Sequence, residues 1–221
     1  MMTKRFWRLG LGLALALMLI SGGPALAQNE VIRLPQPDLA KGKIVMQAIQ
    51  DRKSSRTFSS KDLSNQQLAD ILWAAAGVNR RNGEDKMGRT APSSHNDQAV
   101  DTYAFTRTGI YKYDPIQHEL ILVLAGDHRG KAGVQSYVAS APLSLMLVAD
   151  MSKISGEVER DKLLAAGMDV GHMSENVYLY GAATGLNVIC RSNIDPDELR
   201  LLLKLGKHFE PLLGVTVGHP Q

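Results

Sequence analysis

Apolar residues recur at helical spacing twice in the first third of the chain. Ile44, Val45, Ala48 and Ile49 predict a helix over residues 43–51. Leu68, Ile71, Leu72 and Ala75 follow at i, i+3, i+4, i+7 and predict an amphipathic helix. Ser64 with Gln67 forms a capping box ahead of it, and Gly77 closes it. Alternation takes over at residues 102–107, 109–113 and 119–124, which read as strands, with YDPIQH as a turn between the last two. Leu143–Asp150 is a continuous apolar run of strand length, so it predicts a central strand covered on both faces. A long helix is expected over Glu159–Thr184, rich in Ala, Gly and Met and apolar on most sides near its end, as in a central core helix. Gly185 terminates it. LNVIC then reads as a strand, Asp195 as the N-cap of a helix with Pro196 at N1, and residues 212–218 as the last strand. Helices, a strand meander, a core helix and two further strands predict an α+β fold with a mixed central sheet flanked by helices. Residues 28–42 read as an extended lead-in, and 79–97 as a long polar loop of the kind that serves a function or lacks structure of its own.

The first residues follow a different pattern. Lys4, Arg5 and Arg8 precede an apolar run from Leu9 to Ile20. Ser21, Gly22, Gly23 and Pro24 then break a helix, and Ala25–Leu26–Ala27 forms a small-x-small site. These are the parts of a secretory signal peptide cut after Ala27. The alternative is an uncleaved anchor, but the run is short against the ~20 residues that span a bilayer. The expectation is therefore an exported protein, periplasmic or secreted, with residues 1–27 as signal peptide and no stable membrane insertion after cleavage. The formal charge of +3 then changes meaning. Lys4, Arg5 and Arg8 supply all of it, so the chain from Gln28 on is formally neutral. No basic stripe with interleaved aromatics is present, which excludes nucleic acid as the expected partner. The single cysteine, Cys190, rules out an internal disulfide, and six scattered histidines give no zinc-type spacing.

Three constellations can carry chemistry. In DRKSSRTFSS, residues 51–60, Arg52, Ser54 and Arg56 share a face if the segment is extended, and the two arginines still share one if it is helical. Two guanidinium forks on one side match a phosphate. A solvated loop before a helix explains the same residues. In RTAPSSHNDQ, Pro92 stiffens a loop whose Ser93, Ser94, His95 and Asn96 can pair with the carbonyl and ring-NH edge of a heterocycle. Those residue types are equally turn chemistry. In GAATGLNVICRS, small residues let a helix end approach something flat, or simply pack on a sheet. Cys190 reads as an inert small residue rather than a nucleophile.

The order of these stretches over residues 43–220 is RKSSRTF, LWAAAGVN, RTAPSSHNDQ, GIYKYDP, GVQSYVASAP, SENVYLYGAATGLNVICR and VGHP. Together they resemble the FMN-dependent nitroreductase family, most of all the branch that includes the azoline dehydrogenases. The resemblance implies a nitroreductase-like FMN-binding domain over 43–221 in an intertwined homodimer, with two FMN molecules at the subunit interface. It implies that Arg52, Ser54 and Arg56 hold the phosphate and pyrimidine side of the flavin. Pro92, Ser93 and Asn96 would reach the flavin of the other subunit, and Gln135 the ring edge. The turn at 190–193 would meet the flavin face, with Ser192 at N5. Flavin N5 itself would do the chemistry, so no catalytic side chain and no metal are expected. NAD(P)H is a candidate electron donor, and a small organic acceptor such as a nitroaromatic or quinone is the expected substrate. Two alternatives remain open: an azoline-type peptide dehydrogenase, and a flavin-binding electron carrier without a substrate of its own. The chain lacks the basic residues with which many members end, so Arg191, Lys204 or Lys207 would have to substitute at the phosphate. The Trp that often follows the Pro-Ser loop is replaced by QAVD, and the insertion that usually shapes the substrate pocket is missing.

Overall fold

A computed structural model describes residues 30–81 and 87–221. The expected signal peptide and Gly83 of the polar loop lie outside the described residues. The elements in chain order are β1 (Val31–Arg33), α1 (Val45–Asp51), α2 (Asn65–Ala76), β2 (Val78–Arg80), β3 (Gly88–Arg89), β4 (Val100–Phe105), β5 (Gly109–Asp114), β6 (Glu119–Ala125), α3 (Ser136–Ser140), β7 (Leu143–Asp150), α4 (Glu159–Thr184), β8 (Asn187–Arg191), α5 (Pro196–Leu202) and β9 (Phe209–Gly218). Single 3-10 turns occupy Ser94–Asn96 and Arg129–Ala132.

Seven strands form one sheet in the order β1-β6-β5-β4-β7-β9-β8. The class is α+β as expected, but the expected mixed pairing is corrected. Every pair of neighbouring strands in the sheet is antiparallel. The cause is topological. Helix α4 carries the chain from β7 to β8 in the same direction, but β9 is inserted between them, antiparallel to both. A parallel pairing does occur at the β8 edge, where Ser54 bridges Val188 outside the named strands. The lead-in is also more than a lead-in. Its residues 31–33 pair with β6 and form the other sheet edge. Within the long polar loop, β2 and β3 make a separate two-stranded hairpin.

All eight residues of β7 are buried. Alternation along the strand divides them between two layers. Leu143, Leu145 and Leu147 join Ile71, Leu72, Val170, Met173 and Val177 under α2 and α4. Met146 and Val148 join Phe105, Val138, Leu199 and Leu203 on the opposite side, under α3 and α5. The capping box of α2 is formed as expected. The Gln67 amide donates to the Ser64 hydroxyl at 3.1 Å, and the Ser64 amide donates to the Gln67 side chain at 2.9 Å. On α5, the Asp195 carboxylate accepts from the Glu198 amide at 3.0 Å.

The long helix α4 is less enclosed than its sequence predicts. One stripe, including Ala166, Val170, Met173, Val177 and Gly181, packs on the sheet. Leu163, Leu164 and Met168 of its first half lie at least half exposed. Gly181 is required for close approach to β8, because a Cβ there would sit 2.4 Å from the Val188 Cγ2 atom. Gly185 ends the helix in the left-handed region at φ +77°. Helix α1 buries only Ala48, while Val45, Met46 and Ile49 are exposed. Among the described residues no helix is long and apolar enough to cross a membrane.

Candidate functional site

Arg52 is the C-cap of α1, with its amide donating to the Ala48 carbonyl at 2.9 Å. The chain then runs extended along the β8 edge, where the Ser55 amide donates to the Val188 carbonyl at 3.0 Å. An extended path puts Arg52, Ser54 and Arg56 on one side. Phe58 anchors the far end of the segment, buried with Ala141 and Ile189 and 5.8 Å from the Tyr137 ring centroid. The segment 52–58 is thus a strand-like strap on the sheet edge, pinned by its one apolar residue.

Tyr178 of α4 organises the near end of this strap. Its hydroxyl lies 2.8 Å from the Ser54 hydroxyl and accepts from the Cys190 amide at 2.9 Å. The Arg52 guanidinium stands 5.3 Å above its ring. Burial raises the Tyr178 pKa, so the hydroxyl stays protonated. A groove of about 250 Å³ opens beside it, lined by Lys43, Lys53, Gly181 and Asn187 among others. Arg52 and Arg56 are not among the residues that line it. Tyr178 was missed in the sequence. The available signal was a Tyr on the buried stripe of a core helix, whose hydroxyl must find a partner.

The turn after β8 continues this edge, whereas Gln135 lines a separate cavity with Lys131, Gly133 and Glu198. Gln135 is the N-cap of α3, and its side-chain oxygen is buried without a partner among the described residues. Ser192 is exposed. Arg191 departs from its expected role. Its guanidinium does not face outward to a phosphate. It is 7% exposed, donating to the Thr216 hydroxyl at 2.5 Å and to the Ala132 carbonyl at 2.8 Å. Gly133 and Gly214 make the room, since a Cβ at either would meet the guanidinium at 2.4 or 2.9 Å. β8 alternation aims Arg191 into the lower layer, and burial depresses its pKa. Lys204 and Lys207 do not reach the strap either. They are exposed before the start of β9, and Phe209 is about 27 Å along the strand from Val217, the partner of Val188.

The loop of Pro92, Ser93 and Asn96 is placed elsewhere. The Ser94 amide donates to Asp169 of α4 at 2.9 Å. Asp169 precedes Tyr178 by nine residues, about 14 Å along the helix axis. The loop is held stiffly. Its Gln98 amide donates to the Ser93 hydroxyl at 3.1 Å, and Arg89 donates to the Gln98 side chain at 2.9 Å. Asp97 accepts from the Ser155 amide and hydroxyl at 2.7 and 2.9 Å. His95, Asn96 and Gln98 all have positive φ, at 48°, 56° and 51°. Non-glycine residues in that region cost of order 1–3 kcal/mol each and persist where surrounding bonds impose them. One chain therefore places Arg52, Ser54, Arg56 and Ser192 along the β8 edge and holds Pro92, Ser93 and Asn96 beside the middle of α4, where Thr90 accepts from Asn176 at 3.3 Å and the Ser94 amide donates to Asp169.

Cys190 is largely buried, and its thiol is pushed up to about 11, chiefly by desolvation. That is the inert residue expected from the sequence. Among the described residues no cluster of His, Cys, Asp and Glu can hold a metal.

Comparison with known proteins agrees with this architecture. Residues 49–219 match the pattern of the Nitroreductase family. A Methanocaldococcus jannaschii protein named as a nitroreductase is 28% identical over 200 residues, covering 86% of this chain and 98% of its own. The FMN reductase (NAD(P)H) of Bacillus subtilis is 25% identical over 190 residues, covering 80% of this chain and 66% of that protein. The crystal structure of a Ralstonia eutropha JMP134 protein described as a nitroreductase superposes with a TM-score of 0.80 at 38% identity, covering 86% of this chain and 90% of that one. A match over most of the chain, together with the shared sheet, places this protein in the nitroreductase family, as an oxidoreductase of nitroreductase type.

Proposed function

We propose that the protein is an exported, homodimeric FMN enzyme that passes electrons from NAD(P)H to a small organic acceptor such as a nitroaromatic or quinone. The observation that carries this reading is the strap. Arg52, Lys53 and Arg56 enter no ion pair among the described residues, whereas the neighbouring Asp51 is taken by Lys43. Arg52 and Arg56, two unmatched guanidinium forks on the side of the Ser54 hydroxyl, fit a dianionic phosphate. Gln135 adds a buried, unpartnered acceptor, fit for a ring N–H.

FMN, when bound, supplies the hydride and electron chemistry at its N5. The chain's own residues do the rest. Arg52 and Arg56 hold negative charge, Ser54 donates from a hydroxyl fixed by Tyr178, and the turn at Ser192 closes the ring face. A second copy of the chain explains the displaced loop. Pro92, Ser93 and Asn96 are held beside the middle of α4 and not on the strap of their own subunit, and the stiff loop is suited to serve a partner's. The exposed apolar residues of α1 and of α4 supply a surface for that partner. Export rests on residues 1–27, which lie ahead of the matched region.

NAD(P)H oxidation by the FMN-loaded protein, followed with and without a nitroaromatic or quinone, tests the reading. Acceptor-dependent turnover supports it. Flavin that is bound but not reduced by NAD(P)H would remove the donor assignment and favour the electron-carrier alternative.

A further inference from the structure

A cavity of about 150 Å³ lies inside the single chain, between the end of α2, β4 and α4. A cavity of about this size can hold a benzene-sized body, and about half of this one's lining residues are apolar. Ala75, Ala91 and Met173 supply apolar wall. Thr102 also lines it, and its hydroxyl is 2% exposed with no hydrogen-bond partner among the described residues. Such a hydroxyl is destabilising when left unmet.

The charged groups of the wall are matched, with one exception. Asp101 is paired with Lys112 at 2.7 Å, and Lys153 with Asp150 at 3.3 Å. Asp169 accepts from the Ser94 amide, and burial pushes its carboxyl up towards the neutral form. Arg89 forms no ion pair with any described carboxylate. Its guanidinium donates to two neutral acceptors, Gln98 at 2.9 Å and the Ala76 carbonyl at 3.1 Å. The wall is part polar and part apolar, and its unmatched groups are one cation and one hydroxyl.

We propose that this cavity is a binding site for a small aromatic monocarboxylate, with Arg89 and Thr102 on the carboxylate and the ring between α2 and α4. The site belongs to one chain, although Pro92 and Ser93, which the proposed function gives to a partner's flavin, also line it.

Calorimetric titration of the protein as isolated with sodium benzoate, at constant ionic strength, tests it. Saturable binding is expected, with benzamide about tenfold weaker for want of the charge. Thr102→Val, which keeps the shape, should weaken benzoate about tenfold and raise the melting temperature of the ligand-free protein. Arg89→Met should weaken it further. Saturating FMN should leave benzoate affinity unchanged. No saturable heat at millimolar benzoate would overturn the proposal, as would an affinity that Thr102→Val does not alter. Displacement of benzoate by FMN would also overturn it, because the ligand would then occupy the flavin site.

Discussion

The hydroxyls of Tyr178 and Ser54 lie 2.8 Å apart, tying the core helix to the strap 124 residues earlier. The same Tyr178 oxygen accepts from the Cys190 amide of β8. One side chain thus fixes three elements at the sheet edge. Tyr178→Phe leaves that amide without its partner, and an unmet buried donor costs about 1–3 kcal/mol. For a domain of this size each kcal/mol lowers the melting point by about 2–4 °C. Thermal unfolding of the flavin-free protein should show that drop. An unchanged midpoint would mean that Tyr178 does not hold the strap.

Arg52 and Lys53 are adjacent but not equivalent. Arg52 is held over the Tyr178 ring, whereas Lys53 is exposed and lines the neighbouring groove, of which Arg52 is no part. A charge-assisted bond to phosphate is worth about 1.5–3 kcal/mol, or about 10- to 100-fold in affinity. Arg52→Ala should therefore weaken FMN binding by that factor and Lys53→Ala by much less. Equilibrium titration with FMN measures both. Equal losses would remove the phosphate from Arg52.

The Cys190 thiol, raised to about 11, should be sluggish towards alkylating reagents in the folded protein. Against an ordinary thiol near 8.5, its thiolate fraction at pH 7.5 is lower by roughly a few hundredfold. Iodoacetamide labelling should stay slow until denaturant is added. Fast labelling of the native protein would show that the site opens.

His118 predicts a pH dependence. Its Nε2 lies 2.8 Å from the Pro35 carbonyl, which can only accept, so that nitrogen carries the proton. Its Nδ1 lies 2.7 Å from the Tyr113 hydroxyl, which burial keeps protonated and which donates to it. Burial lowers the His118 pKa below 6.5. The unfolded chain then binds more protons, so this group's stabilisation is complete above about pH 6.5 and falls as the pH drops towards the folded value. Denaturant midpoints should decline between pH 7 and pH 5, and His118→Gln should flatten that decline. An unaltered slope in the variant would place the proton uptake elsewhere.

Much of this arrangement was legible in the residues. Glu159–Thr184 and Leu143–Asp150 have the predicted bounds because their periodicity and their Gly185 stop are local signals. The capping residues Ser64 and Asp195 were readable for the same reason. The sheet pairing was not, because the insertion of β9 between β7 and β8 is a choice among non-local partners that no short window encodes. The Arg191 role failed on orientation. A basic residue beside a flavin-facing turn suggests a ligand, but strand alternation points it inward, and Gly133 and Gly214 open the space only once three distant segments meet. Tyr178 was hidden among other aromatic and apolar residues of its helix. Its importance comes from Ser54 and Cys190, neither of which is near it on the same element.

The absorbance spectrum of the purified protein tests the central claim most directly. The strap of Arg52, Ser54 and Arg56 predicts a yellow protein with one FMN per chain, or a colourless one that takes up added FMN to that ratio. A protein that stays colourless in the presence of excess FMN would contradict it.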